Sequence, residues 1–208
     1  MNIAGCKIVL KAGQDGRTIA ITFDDGPHKN FTPQILDILE KRGAYGTFFS
    51  TGNNISAQKS LASELVRRGH LLANHTYTHV NPLFTRKSRL YDEILRTKEL
   101  IEEITGQPNL FFRPPYGIIT PSLLSICSSL NLSIVLWSIN SYDFRREQSA
   151  VIIKRIKRRI RPGGIMLFHE CKYNNEGLDY SNTLQALEVV LEIAGSKGIK
   201  GIRIDGVT

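Results

Sequence analysis

The chain has 208 residues, 41% of them hydrophobic, enough for one globular core, and its 27 Lys and Arg against 19 Asp and Glu leave a net charge of +8. It contains no low-complexity tract, no internal repeat and no apolar run long enough to span a bilayer, which argues against disordered, solenoid and helical membrane classes. Three cysteines, Cys6, Cys127 and Cys171, lack paired spacing and give neither a disulfide framework nor a zinc ribbon.

At the start, Met1-Asn2-Ile3 leaves no room for a charged segment and an apolar core, so no secretory signal is expected. Ile3-Ala4-Gly5-Cys6 has the composition of a lipoprotein cleavage box without the apolar segment that precedes one. From there strand and helix patterns alternate. Strands are predicted over 18–23, 45–50, 71–74, 110–113, 133–138, 164–168 and 201–204, and helices over 32–42, 57–68, 88–105, 121–130, 149–161 and 182–196. Strict alternation argues for parallel strands, which build their sites at the strands' C-terminal ends. A distorted (β/α) barrel fits this best, although an open doubly wound sheet would place a site at strand ends too.

Polar residues gather at those ends. Thr22-Phe23-Asp24-Asp25-Gly26-Pro27 closes the first strand, and His75-Thr76-Tyr77-Thr78-His79 follows the third. The two histidines are four apart, a spacing that aims both imidazoles one way on a helical turn. One carboxylate and two histidines supply the three protein ligands of a catalytic metal with an open water position. Neighbours on an extended segment point to opposite sides, so one aspartate is expected to bind metal and the other to act as base. Arg113 ends the apolar run Leu110-Phe111-Phe112 and is placed to pair with Asp24, while Pro114-Pro115 stiffens the backbone after it. His169 ends another strand. The isoleucines of 152–160 recur at helical spacing, so the basic residues among them read as a solvated helix face.

Taken in order, Thr22 to Pro27, His75 to His79, Arg113-Pro114-Pro115-Tyr116-Gly117 and Leu167-Phe168-His169 resemble the motifs of the polysaccharide deacetylases, the NodB-homology domain of carbohydrate esterase family 4. The resemblance covers 18–208, leaving 1–17 as an N-terminal extension of a single catalytic domain. It implies an irregular (β/α)7-type barrel and a hydrolase that removes N-acetyl groups from a polysaccharide. Asp25, His75 and His79 would hold one divalent metal, Zn2+ first, with Co2+, Ni2+, Mn2+ or Fe2+ also compatible. Asp24 would be the base, Arg113 its orienting partner, the Tyr116 amide an oxyanion donor beside Pro115, and Leu167 a wall for the acetyl methyl. His169 would be the general acid, with Asp143 fixing its tautomer.

The fourth motif departs from the family pattern Asp-x-x-Asp-Trp. Here it reads Asn140-Ser141-Tyr142-Asp143-Phe144, so one charge is absent and Phe144 stands where an indole is usual. A deacetylase-like module that binds sugar without turnover, or an O-acetyl esterase on xylan-like glycans, is therefore kept as an alternative. The expected partner is an acetylated polysaccharide, chitin, peptidoglycan or an exopolysaccharide. No nucleic acid is expected because no stacking-aromatic motif is seen, whereas the positive charge suits an anionic cell wall. The resemblance also implies a secreted or envelope-associated protein.

Overall fold

The computed structural model describes residues 1–12, 16–175 and 177–207, so 13–15 of the expected N-terminal extension lie outside the described residues. The strands are β1 (Asn2–Ile3), β2 (Cys6–Val9), β3 (Thr18–Asp24), β4 (Gly46–Ser50), β5 (Leu71–Asn74), β6 (Phe111–Phe112), β7 (Ser133–Val135), β8 (Ile139–Asn140), β9 (Ile165–His169) and β10 (Lys200–Ile202). The helices are α1 (Phe31–Lys41), α2 (Gly52–Ala57), α3 (Lys59–Arg67), α4 (Lys87–Thr105), α5 (Pro121–Ser129), α6 (Ser149–Ile156) and α7 (Ser181–Ser196). None of them is long and apolar enough to cross a membrane.

The strands lie in the order β1-β2-β7-β6-β5-β4-β3-β9-β8, with β10 on the β4 edge of β3, where Ala20 meets Ile202 on one side and Ile165 on the other. All pairings are parallel except the β1–β2 hairpin, and the sheet curls into an open half-barrel. Side-chain alternation separates its two faces. Ala20, Phe49, Ala73, Phe111, Val135 and Ile165 pack together on the inner face. Ile21, Phe23, Phe48, Leu72, Met166 and Phe168 point outward and pack under α1, α3, α6 and α7 in a larger cluster. On β3 the same alternation puts Thr22 and Asp24 inside, in phase with Ala20.

Several elements differ from the sequence expectation. The chain forms strand β2 within the expected extension and pairs it with β7, a signal hidden in four residues of which Lys7 is exposed. Cys6 is buried there, its thiol donating to Leu132 O at 3.5 Å, so the sulfur is not presented to solvent as lipid attachment requires. The helix expected over 57–68 begins earlier and is broken at Gln58, whose φ of −128° and ψ of 44° are not helical. The strand expected over 133–138 stops at Val135, and the chain rejoins the sheet as β8 beside β9. Helix α6 ends at Ile156 instead of Arg161, where like charges at 154 and 158, 155 and 159, and 157 and 161 would stack on successive turns.

Phe23 is fully buried between β3 and the helical layer, its ring 4.8 Å from Phe48 and 6.0 Å from Phe168. Phe23→Ala should cost about 3–5 kcal/mol, since a cavity is added to the lost transfer energy. Urea denaturation measures it, and a loss below about 1 kcal/mol would mean that this outer layer does not organise the core.

Candidate active site

The C-terminal ends of β3, β5, β6, β8 and β9 surround a cavity of about 680 Å³ whose walls include Asp24, Asp25, His75, His79, Tyr116 and His169. Behind its Asp24 wall lies an ion pair. Arg113, completely buried, donates from Nη1 to Asp24 Oδ1 at 2.7 Å and to Thr22 Oγ1 at 2.8 Å, and from Nε to Val135 O at 3.1 Å. Its guanidinium lies 4.1 Å above the Phe49 ring. This fixes one oxygen of Asp24 and leaves Oδ2 turned toward His75 Nε2, 3.9 Å away.

Asp25 does not point away from Asp24 as an extended segment would require. The strand has ended, and Asp25 adopts φ +74°, so its carboxylate swings to the same side. Oδ1 lies 3.5 Å from His75 Nε2 and 3.2 Å from His79 Nε2. The histidines are likewise not on a helical turn. Thr76 (φ +64°) and His79 (φ +52°) are left-handed, and the loop is held by side chains. Asn74 Oδ1 accepts from Thr76 N at 3.0 Å, and the Glu93 carboxylate accepts from Thr78 N and Oγ1, both at 2.6 Å. The spacing brings the imidazoles together, but through a loop built by Asn74 and Glu93.

The donor atoms of Asp25, His75 and His79 all lie within 4.8 Å of one another. His75 Nδ1 donates to Arg113 O at 2.7 Å, which leaves the Nε2 lone pair facing Asp25, and the buried Asp25 Oδ1 has no hydrogen-bond partner. Burial brings His75 down to about 4, hence neutral at pH 7. Burial works against the Asp25 carboxylate, yet the two imidazoles hold it at about 2. Two imidazole nitrogens facing a carboxylate oxygen that has no hydrogen-bond partner fit a divalent cation.

Across the cavity, His169 ends β9 and its Nδ1 donates to Asp143 Oδ1 at 2.7 Å. The buried Asp143 also accepts from His169 N at 2.8 Å and from Ser141 Oγ at 2.8 Å. Burial opposes charge on His169, but Asp143 lifts it to about 9. Leu167 and the exposed Phe144 line the cavity, with the Phe144 ring edge-on to His169 at 5.6 Å. Tyr116 is left-handed at φ +61°, and its ring meets the edge of His79 at 4.9 Å. Pro115 is buried beneath that turn, off the cavity wall.

Other residues of the site carried no local signal. Tyr173 stacks on His79 at 5.6 Å, donates its amide to Asp25 Oδ2 at 3.4 Å and accepts from Asn53 Nδ2 at 2.9 Å through its hydroxyl. Trp137, Lys172 and Tyr180 also line the cavity, together with Thr78 of the histidine loop and Asn140 of the fourth motif. Glu170, fully buried, accepts from Thr32 Oγ1 and packs against Gly26, where an added Cβ would fall 1.7 Å from Glu170 Oε1. Burial raises Glu170 to about 8, so it is neutral at pH 7 and props the aspartate turn as a carboxylic acid. Cys171 is outside the ligand cluster, its thiol donating to Asp25 O at 3.4 Å. His28 and His70 serve structure: His28 Nδ1 accepts from Asn30 N and Phe31 N, and His70 Nδ1 accepts from Gly46 N at 3.1 Å.

Comparison with known proteins adds to this geometry. Residues 11–135 match the family described as Polysaccharide deacetylase. A peptidoglycan-N-acetylglucosamine deacetylase of Bacillus cereus is 30% identical over 186 residues, which are 89% of this chain and 66% of that protein, so the chain spans just under two thirds of the relative's length. The structure of the Bc1960 peptidoglycan N-acetylglucosamine deacetylase in complex with a hydroxamate-type compound superposes with a TM-score of 0.91 at 27% identity, covering 97% of this chain and 92% of that one. A mutant of BA3943, described as a CE4 family pseudoenzyme with restored activity, superposes at 0.87 and 25% identity, covering 99% and 72%.

The Asp143–His169 pair predicts a pH dependence of stability in the metal-free protein. The folded state holds the His169 proton more tightly than the unfolded chain, so the contribution is complete below about pH 6.5 and is lost as pH rises through about 9. It is on the order of 3 kcal/mol. Asp143→Asn should flatten that decline in urea unfolding measured between these limits, and an unchanged slope would show that the pair does not hold the proton.

Proposed function

The chain belongs to the polysaccharide deacetylase family, and on that premise we propose that it is a metal-dependent hydrolase removing N-acetyl groups from N-acetylglucosamine-type residues of a polysaccharide. The observation that carries this reading is the convergence, in one cavity, of the Asp25, His75 and His79 donors with the Arg113–Asp24 pair on one side and the Asp143–His169 pair on the other. Zinc suits the two imidazoles and one carboxylate best, with cobalt, nickel, manganese and iron as compatible ions. Peptidoglycan is the preferred polymer, by likeness to the Bacillus cereus relative, with chitin next.

Asp25, His75 and His79 would hold a divalent ion, which would supply Lewis acidity toward the water and the acyl carbonyl. Asp24, held at Oδ1 by Arg113, takes the proton of the attacking water at Oδ2. The Tyr116 amide, on the turn stiffened by Pro114 and Pro115, donates to the oxyanion. His169, whose Nδ1 is engaged by Asp143, delivers a proton from Nε2 to the departing sugar nitrogen. Leu167 and Phe144 shape the acetyl side of the cavity. The C–N bond breaks, and acetate and a free amine leave.

A second reading has a specific observation behind it. Asn140 and Phe144 depart from the family's fourth motif, and one superposable structure is of a pseudoenzyme, so the chain would bind sugar without turning it over. The filled base, acid and ligand positions favour the enzyme.

Removing metal with a chelator should abolish acetate release from N-acetylglucosamine oligomers, and added zinc should restore it. Asp24→Asn should keep about one ion per chain by metal analysis while turnover falls about 10²–10⁴-fold, and Asp25→Asn should lose the ion itself. Equal metal loss in both variants would refute this division of roles. His169→Ala should cut turnover on amides about 10²–10⁴-fold but much less on an activated acetyl ester, whose leaving group departs without a proton. Equal losses on both substrates would make His169 a wall of the cavity.

A further inference from the structure

No spacing in the sequence pairs the three cysteines, but the fold brings two of them together. Ala4 (φ +50°) and Gly5 (φ +77°) turn the chain back on itself between β1 and β2, where Ile3 pairs with Cys6. Alternation along β2 then buries Cys6 and Ile8 and exposes Lys7. Helix α5 packs on this strand, and Cys6 and Ile8 share one apolar cluster with its Leu123, Ile126 and Cys127.

Leu132 fixes the approach from both sides. Its carbonyl accepts from Cys6 Sγ at 3.5 Å, and its amide donates to Cys127 O at 2.8 Å. The neighbouring positions also touch, since a Cβ added at Gly5 would fall 2.9 Å from Ser128 Oγ. The two thiols are within hydrogen-bonding reach of one another, and both are closed off from solvent. Cys171 is held elsewhere, its thiol on Asp25 O at 3.4 Å.

We propose that Cys6 and Cys127 are joined by a disulfide that staples the β1–β2 hairpin to α5. The bond closes a loop of about 120 residues, which contains Asp24, Asp25, His75, His79, Arg113 and Tyr116 but neither Asp143 nor His169. Without it the hairpin is held by its apolar side chains and by a short ladder, in which Ile8 meets Ile134 and Val9 meets Val135. A cross-link over so long a loop stabilises by restricting the unfolded chain.

The chemistry is exchange with a low-molecular-weight disulfide, of the class of oxidised glutathione. One cysteine thiolate attacks that disulfide and displaces a first glutathione thiolate, and the second cysteine thiolate then attacks the protein sulfur of the mixed disulfide and displaces the other. Two protein thiols are oxidised, one disulfide is reduced to two glutathione thiols, and the two cysteine protons end on them. Burial pushes both protein thiols up, so in the closed core they stay protonated, and the exchange proceeds before β2 docks.

The test is to refold the unfolded, reduced protein in a glutathione redox buffer, with a sample refolded in dithiothreitol as the reduced reference. Thiol titration in denaturant should find three thiols in the reference and one, that of Cys171, in the oxidised protein. Peptide mapping without reductant should link the segments that carry Cys6 and Cys127, and the thermal midpoint should rise by about 5 °C or more. C171S should gain the same link and the same shift, and C127S should gain neither. If C127S does not fold, the wild-type map and titration decide. Four results would overturn the proposal: three thiols after oxidative refolding, glutathione adducts on Cys6 or Cys127 in place of the link, a link to Cys171, or an unchanged midpoint in the linked protein.

Discussion

A charged guanidinium sits at the centre of this half-barrel with no access to water, and the placement of the site follows from it. Arg113 needs partners for its donors, and it finds them in Asp24, Thr22 and the carbonyls of Val135 and Leu136. Those partners belong to β3 and to the end of β7, so one side chain ties both sides of the curl together. Removing either half of such a buried pair costs about 3–5 kcal/mol, because an uncompensated charge stays behind. The inner face leaves space for this arrangement through the small residues Ala20 and Ala73 and the flat Phe49 ring.

The rest of the site is built on backbone that L-residues rarely adopt. Asp25, Thr76, His79, Tyr116 and Tyr142 all have positive φ and all cluster at the C-terminal rim. Each such residue costs on the order of 1 kcal/mol or more, and it persists only where its surroundings over-determine it. Here the surroundings are identifiable. Asn74 and Glu93 brace the histidine loop, Glu170 fills the space over Gly26, and Asp143 is gripped by Ser141 and the His169 backbone. Burial shifts Glu170 toward its neutral form, which eases its place beside two aspartates.

The two ends of the sheet are chemically distinct for a topological reason. Parallel strands all finish at one rim, where loops are free to carry carboxylates and imidazoles, and all begin at the other, where short turns return from the helices. The excess of positive charge is not spread evenly over that second rim. It concentrates where α6 and α7 return to β9 and β10, in segments that contain no acidic residue.

The alternation of strand and helix was readable in the sequence, because the periods 2 and 3.6 are written locally, and so were the motif residues that gather at the strand ends. Boundaries failed where a neighbour decided them: four residues became β2 because β7 offered an edge, and the strand after Val135 left the sheet where the Leu136 carbonyl meets Arg113. The family motifs placed Asp24, Asp25, His75 and His79 together, but the expected means, opposite faces of a strand and one turn of a helix, was wrong in both places. Only the tertiary structure decided that left-handed turns braced by Glu93 and Asn74 do this work, and that Glu170 and Tyr173 complete it. The Glu170 and Tyr173 contacts join residues far apart in the chain, and no local pattern encodes a partner that close packing alone brings near.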